Sequence, residues 1–171
     1  MTQPDQKTNL ADRNLVDGFL ESAELHRQRS ALEVGDLTFT YGQLAEEARR
    51  IARTIVACEP DRQPLIGVLA HKSPSAYAGI VGALAAGRGY VPLHPRHPVG
   101  RIRAILETAG IRVLIAAEES VELLGELLAG RPRTAVVFPF DPVPRGLLGR
   151  MRDHLLVGPQ DLEAADGWRP P

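Results

Sequence analysis

A single cysteine, a nearly even charge balance and the lack of any long apolar run narrow this chain before a motif is sought. Cys58 has no second cysteine for an internal disulfide and no thiol partner for a metal site. It closes an apolar helical pattern with no base beside it in sequence, so a partly buried structural thiol is expected rather than a nucleophile. The formal net charge of -1 lacks the basic excess of a non-specific nucleic-acid binder. Basic clusters such as Arg49-Arg50 and Arg131-Pro132-Arg133 are accordingly read as solvated helix ends and loops. The start, Met1-Thr2-Gln3-Pro4-Asp5-Gln6-Lys7, has no apolar stretch of a signal peptide, and nothing approaches membrane-spanning length. These absences lead to the expectation of a cytoplasmic protein with neither nucleic acid nor membrane as partner. No internal repeat of fixed period is present.

What is present is ordinary globular material: 171 residues, 44% apolar and 24% charged, enough for one domain with a buried core. Residues 1–14 are expected to be disordered or loosely ordered, residues 15–140 to form an α/β unit, and residues 141–171 to be a Pro-rich connector.

From Leu15 a helical pattern places Val16, Phe19, Leu20 and Ala23 on one face. Alternating runs Ala31–Val34 and Leu37–Thr40 flank Gly35-Asp36, a tight hairpin signal. Thr40 and Gln43 form a capping box for a helix whose Leu44, Ala48, Ile51 and Ile55 recur at helical spacing. Leu65–Ala70 is a short continuous apolar run, as expected of a strand covered on both faces. Ser73-Pro74 then opens a helix that Gly87 ends. Tyr90-Val91-Pro92-Leu93 reads as a strand whose proline suggests a short or edge position. Pro98 opens a helix closed by Gly110, and Ile111–Ala116 is the next strand. Ser120 is the expected cap of a helix ended by Gly130, followed by a strand over Thr134–Phe138. After Phe140 only one modest helix, around Leu147 to Leu155, is expected. Short apolar strands alternating with amphipathic helices predict an α/β fold: a mostly parallel sheet of about five strands, flanked by helices.

Two segments carry more than a fold. One is Leu37-Thr38-Phe39-Thr40-Tyr41-Gly42-Gln43-Leu44. The other is Gly82-Ala83-Leu84-Ala85-Ala86-Gly87-Arg88-Gly89-Tyr90-Val91-Pro92-Leu93-His94-Pro95-Arg96-His97-Pro98. In this order and at this separation they resemble the first two core motifs of adenylate-forming enzymes, most like an amino-acid-activating adenylation domain of a nonribosomal peptide synthetase. The likeness runs from about Leu15 to about Glu118. Two departures stand out: His94 where the motif has Asp, and Ala85 where it has Lys. The usual Asp caps or braces a turn, so His94 puts local geometry in question more than chemistry.

The resemblance implies the N-terminal portion of a large subdomain whose complete enzyme uses ATP and magnesium to form an acyl-adenylate. That enzyme then commonly passes the acyl group to a carrier-protein thiol. Both motifs are structural in the family. Its phosphate loop, ribose-binding aspartate and C-terminal lysine find no match here, and are expected beyond Pro171. No residue of this chain is therefore assigned a catalytic, cofactor-binding or metal-binding role, and the chain alone is expected to be inactive. The partner expected to complete it is a downstream adenylation-domain chain or remainder, with a carrier protein as a further partner. It is also expected to leave bare the apolar surface that would meet a second layer. His94 and His97 invite a metal reading, but two histidines on a proline-bounded loop rarely suffice. His71-Lys72 follows a strand, where α/β folds place ligands, yet reads as a solvated loop. The alternatives are a non-catalytic scaffold module retaining the fold and an unrelated flavodoxin-like domain. A phospho-acceptor version of the latter would want acidic residues where His71-Lys72 stands.

Overall fold

The period-two alternation of strand side chains sets the architecture, because it divides each strand between two apolar layers. The computed structural model describes residues 14–58 and 63–165; the expectations for residues 1–13 and for the tail after Ala165 lie outside them. In chain order the elements are α1 (Leu15–Leu25), β1 (Ser30–Val34), β2 (Leu37–Thr40), α2 (Tyr41–Cys58), β3 (Leu65–Leu69) and α3 (Pro74–Ala85). They continue with β4 (Gly89–Leu93), α4 (Val99–Thr108), β5 (Val113–Ala116), α5 (Val121–Leu128), β6 (Ala135–Val137), α6 (Arg145–Arg150) and β7 (Leu155–Val157). β1 and β2 pair as an antiparallel hairpin, with Gly35 at φ 57° in its turn. The other strands form one five-stranded, all-parallel sheet in the order β4-β3-β5-β6-β7.

Ile66, Val113, Ile115, Ala135, Val137 and Val157 face a layer made by α1, α2, α3 and the hairpin. Leu69, Leu93, Leu114, Ala116, Val136 and Phe138 face α4, α5 and α6. Both faces of the sheet are thus covered by this chain's own helices. Among the described residues, the bare apolar face expected from the sequence is not found on the sheet. The large apolar side chains that do reach solvent are spread over α1, β2, α2, α3, β4 and α6.

Several local signals act as the sequence indicated. Thr40 N–H donates to Gln43 Oε1 at 2.8 Å and Gln43 N–H to Thr40 Oγ1 at 3.2 Å, closing the capping box of α2. Gly87 turns left-handed at φ 69°, and its N–H reaches the Leu84 carbonyl at 3.0 Å to close α3. A Cβ on Gly89 would stand 2.8 Å from Leu65 Cδ2, so the entry into β4 is close, and a larger residue there would displace the end of the Leu65 side chain. Pro92 lies on β4, which is an edge strand. Ala85 is 1% exposed within the core, a position that suits a small apolar side chain.

Others differ, each for a physical reason. The strand expected from Ile111 starts at Val113, because Ile111 N–H is taken by the Leu106 carbonyl in the exit turn of α4. Ser120 does not cap α5; a 3₁₀ turn over Glu118–Ser120 precedes it, and the Ser120 hydroxyl donates back to the Ala117 carbonyl at 2.6 Å. The expected helix near Leu147 ends at Arg150, and Leu155–Val157 instead forms β7 beside β6. Leu147, Met151 and Leu162 are buried, so this stretch contributes core rather than only connection.

Two arginines read as solvated prove to be tethers. Arg50 bonds the Pro159 carbonyl at 2.7 Å and pairs with Glu47 at 3.2 Å. The Arg131 side chain is 5% exposed, bonds the Ile111 carbonyl at 3.2 Å and approaches Glu107 at 3.7 Å. Burial lowers the pKa of its guanidinium from the ordinary value, against the pull of Glu107. Long stems that bury while their heads find carbonyls look the same in sequence as surface charges.

Candidate functional site

Open parallel sheets bind ligands beyond the carboxyl ends of their strands, where the strand order reverses. The chain runs outward from β3 to β4, then crosses back to β5 on the other side of β3. The reversal therefore lies between the carboxyl ends of β3 and β5. Counted from β3, this is the flavodoxin-like strand order. Strand order alone cannot separate the competing readings of the chain, because one fold hosts many functions.

Three loops meet at this edge. His71 and Lys72 leave β3; His94, Arg96 and His97 leave β4; Glu118 and Glu119 follow β5. His71 N–H donates to Glu119 Oε1 at 2.9 Å, bridging the reversal point. On the other side its ring lies against that of His94, with centroids 4.2 Å apart and planes at 40°. His94 in turn is 5.5 Å from His97. The His94 Nδ1 accepts the Arg96 N–H at 3.1 Å, the turn-bracing role expected of an aspartate at that place. Lys72 sits left-handed at φ 48°, an uncommon backbone for a residue other than glycine. His71 titrates below its ordinary value through desolvation, reinforced by the positive fields of His94, Lys72 and Arg96 and opposed by Glu119.

Asp141, beyond the end of β6, completes the edge by accepting the Glu118 N–H at 3.2 Å. Burial raises its carboxyl above the ordinary range; the Glu118 N–H bond opposes this, and the charges of Glu118 and Glu119 reinforce it. The Ser75 hydroxyl is buried without a hydrogen-bond partner of good geometry, though it lies close enough to favour the ionised Asp141. Glu119, Asp141 and Ser75 carry no motif that marks them in the sequence. Following the carboxyl end of a strand, as Glu119 and Asp141 do, is the signal that could have found them.

The structure brings together the three histidines noticed in sequence, but as stacked rings rather than a chelating set. Among the described residues, no group of three or more His, Cys, Asp or Glu is placed to hold a metal ion. The β3–α3 connection His71-Lys72-Ser73 has no glycine and opens directly on Pro74, unlike a glycine-rich phosphate loop. Gly87-Arg88-Gly89 enters β4 at the opposite, amino-terminal edge, away from where such folds bind ligands. Among the described residues no helix is long and apolar enough to cross a membrane.

Cys58, at the end of α2, is half-buried. Burial pushes its thiol up, the Glu163 carboxylate adds to this, and Arg133 opposes. A raised thiol is poorly nucleophilic near neutrality. Cys58 should react with Ellman's reagent at pH 7 several-fold more slowly than glutathione; a rate equal to or above glutathione's would contradict the structural role.

Comparison with known proteins assigns the frame in which this edge sits. The family described as AMP-binding enzyme matches residues 19–159. Surfactin synthase subunit 1 of Bacillus subtilis is 34% identical over 107 residues, which cover 63% of this chain and 3% of that protein. Gramicidin S synthase 2 of Aneurinibacillus migulanus is 32% identical over 123 residues, 70% of this chain and again 3% of the relative. The crystal structure of IdnL7 matches at a TM-score of 0.74 and 31% identity, over 90% of this chain and 30% of that one. The Vibrio cholerae adenylation domain AlmE, in complex with glycyl-adenosine-5'-phosphate, matches at a TM-score of 0.73 over 95% of this chain and 30% of that one. At 18% identity, that second likeness is one of fold. The chain thus spans a few per cent of these curated relatives, and under a third of these solved chains.

Proposed function

Because this chain belongs to the AMP-binding enzyme family, we propose that it is the N-terminal portion of an adenylation enzyme that activates an amino acid or another carboxylic acid. The complete enzyme joins the carboxylate to the AMP moiety of ATP with release of pyrophosphate, then hands the acyl group to a carrier-protein thiol. The family match across residues 19–159 carries this reading. Likeness to peptide synthetases of several bacteria favours an amino acid as the substrate class.

In this reading the chain's own contribution is architectural. Its sheet and two helical layers present a rigid edge at the ends of β3, β5 and β6. The donors that neutralise charge on the transferring phosphoryl group come from another part of the enzyme, with ATP and magnesium bound there. That part is either continuous with this chain or a partner chain carrying the phosphate loop.

The test is ATP–pyrophosphate exchange over a panel of amino acids. The chain by itself should show none. Joined to, or co-purified with, the phosphate-loop-bearing remainder of an adenylation domain, it should support exchange with one or a few substrates. Exchange by the isolated chain, surviving removal of contaminating enzymes, would overturn the division of labour. A stable complex without exchange for any carboxylate would favour the scaffold reading instead.

A further inference from the structure

His71 makes two contacts that tie three loops together: its N–H to Glu119 beyond β5 and its ring to His94 beyond β4. We propose that the His71–His94 stack is an acid-sensitive latch that holds the β3–α3 and β4–α4 loops together at the ligand-binding edge of the sheet and releases them when the imidazoles take up protons. The inference is independent of the reaction the complete enzyme performs.

Three observations carry it. The rings lie 4.2 Å apart, so two imidazolium charges would face each other at contact distance. The surroundings are already positive: Lys72 on the same loop and Arg96 on the facing loop stand against Glu119 from the β5 side, and a further titratable ring, His97, lies 5.5 Å from His94. Finally, His94 braces its turn by accepting the Arg96 N–H at Nδ1, which only an unprotonated Nδ1 can do. An aspartate there would accept that bond across the neutral and mildly acid range; an imidazole loses the bond as it protonates. The departure from the resembled motif thus turns a pH-indifferent turn into a titrating one.

The direction follows from linkage. His71 titrates below its ordinary value when the latch is closed, so the open form binds the proton more readily. The closed form is fully favoured above the ordinary histidine range. Its advantage falls as pH drops through that range and on through the lowered one.

Residue-resolved NMR titration of the whole chain tests this. The His71 ring should titrate below a histidine in an unstructured peptide. Amide signals of residues 70–73 and 94–97 should shift together over the same pH window. In His94→Asn, whose amide oxygen can still accept the Arg96 N–H, His71 should rise toward the unstructured value and the shared transition should disappear. His71→Asn should uncouple the two loops: residues 94–97 should still respond to their own histidines, while residues 70–73 should no longer shift with them. The latch is refuted if His71 in the unaltered chain titrates as a free histidine, or if the two loops respond in separate windows. It is equally refuted if His94→Asn leaves the His71 midpoint where it was. Should a variant not fold, the titration of the unaltered chain decides.

Discussion

Phe138→Ala is expected to lower the unfolding free energy by about 3–5 kcal/mol, the range for removing a fully buried aromatic ring. Phe138 is 0% exposed and is among the largest buried side chains of the chain. It extends the carboxyl end of β6 into the layer with α4, α5 and α6, and its N–H bonds the Val157 carbonyl at 2.9 Å. Truncation would leave a cavity bounded by a rigid sheet and by helices α5 and α6, with little freedom to collapse. Equilibrium urea unfolding should show an earlier midpoint with an unchanged slope. A loss below about 1 kcal/mol would mean that this layer is loosely packed and that the described core is wrong there.

Gly82→Val should cost about 3 kcal/mol, and even Gly82→Ala should destabilise, against the usual helical gain of about 0.5–1 kcal/mol for glycine to alanine. A Cβ at position 82 would stand 2.5 Å from Ile51 Cγ2 and 3.2 Å from the Ala48 carbonyl oxygen. Those atoms belong to α2, against which Gly82 of α3 packs, whereas a Cβ on Gly79 would meet Ile115 of β5. Gly18→Ala is the matched control: Gly18 lies within α1, and a methyl group there would meet nothing within 4 Å, so it should stabilise by about the propensity difference. Thermal unfolding of the two alanine variants should move in opposite directions. Movement in the same direction would show that helix propensity, and not the α2–α3 contact, governs position 82.

The same two positions show how far sequence alone reaches. Gly82 has a second glycine one turn away, Gly79, whereas Gly18 stands alone in its helix, but neither pattern says which glycine a partner helix will press against. Only the partner helix decides that. The run Thr134–Phe138 was legible as a strand, but β6 ends at Val137, and which layer Phe138 enters just beyond it depends on where the ladder places that end. A sheet of about five strands was expected and five are observed, but the sequence marks only four of them, β3 to β6. β7 has three residues, too few to display alternation, and it lies among prolines and glycines that read as a connector. Its pairing with β6 decides it: Leu155 N–H reaches the Thr134 carbonyl at 3.0 Å, and His154 Nδ1 accepts the Thr134 N–H at 3.2 Å.

The edge where the loops meet divides in the same way. That His71-Lys72 follows a strand is visible in sequence, as is the departure at His94. That His71 and His94 touch is not, because they are joined only through the parallel register that sets Leu69 beside Leu93.

Local sequence was enough for the class of fold, the hairpin, the capping box and most helix ends. Each rests on interactions between residues a few positions apart, or on one residue's own backbone preference. It was enough for the family too, through two ordered motifs that serve those same local structures. Tertiary structure decided what depends on distant partners: the fifth strand, the tethering of Arg50 and Arg131 to distant carbonyls, the intolerance at Gly82 and the joining of His71, His94 and Glu119. Those properties belong to pairs of elements brought together by sheet register and helix packing. One strand's pattern records that it is buried, not which residue will stand against it.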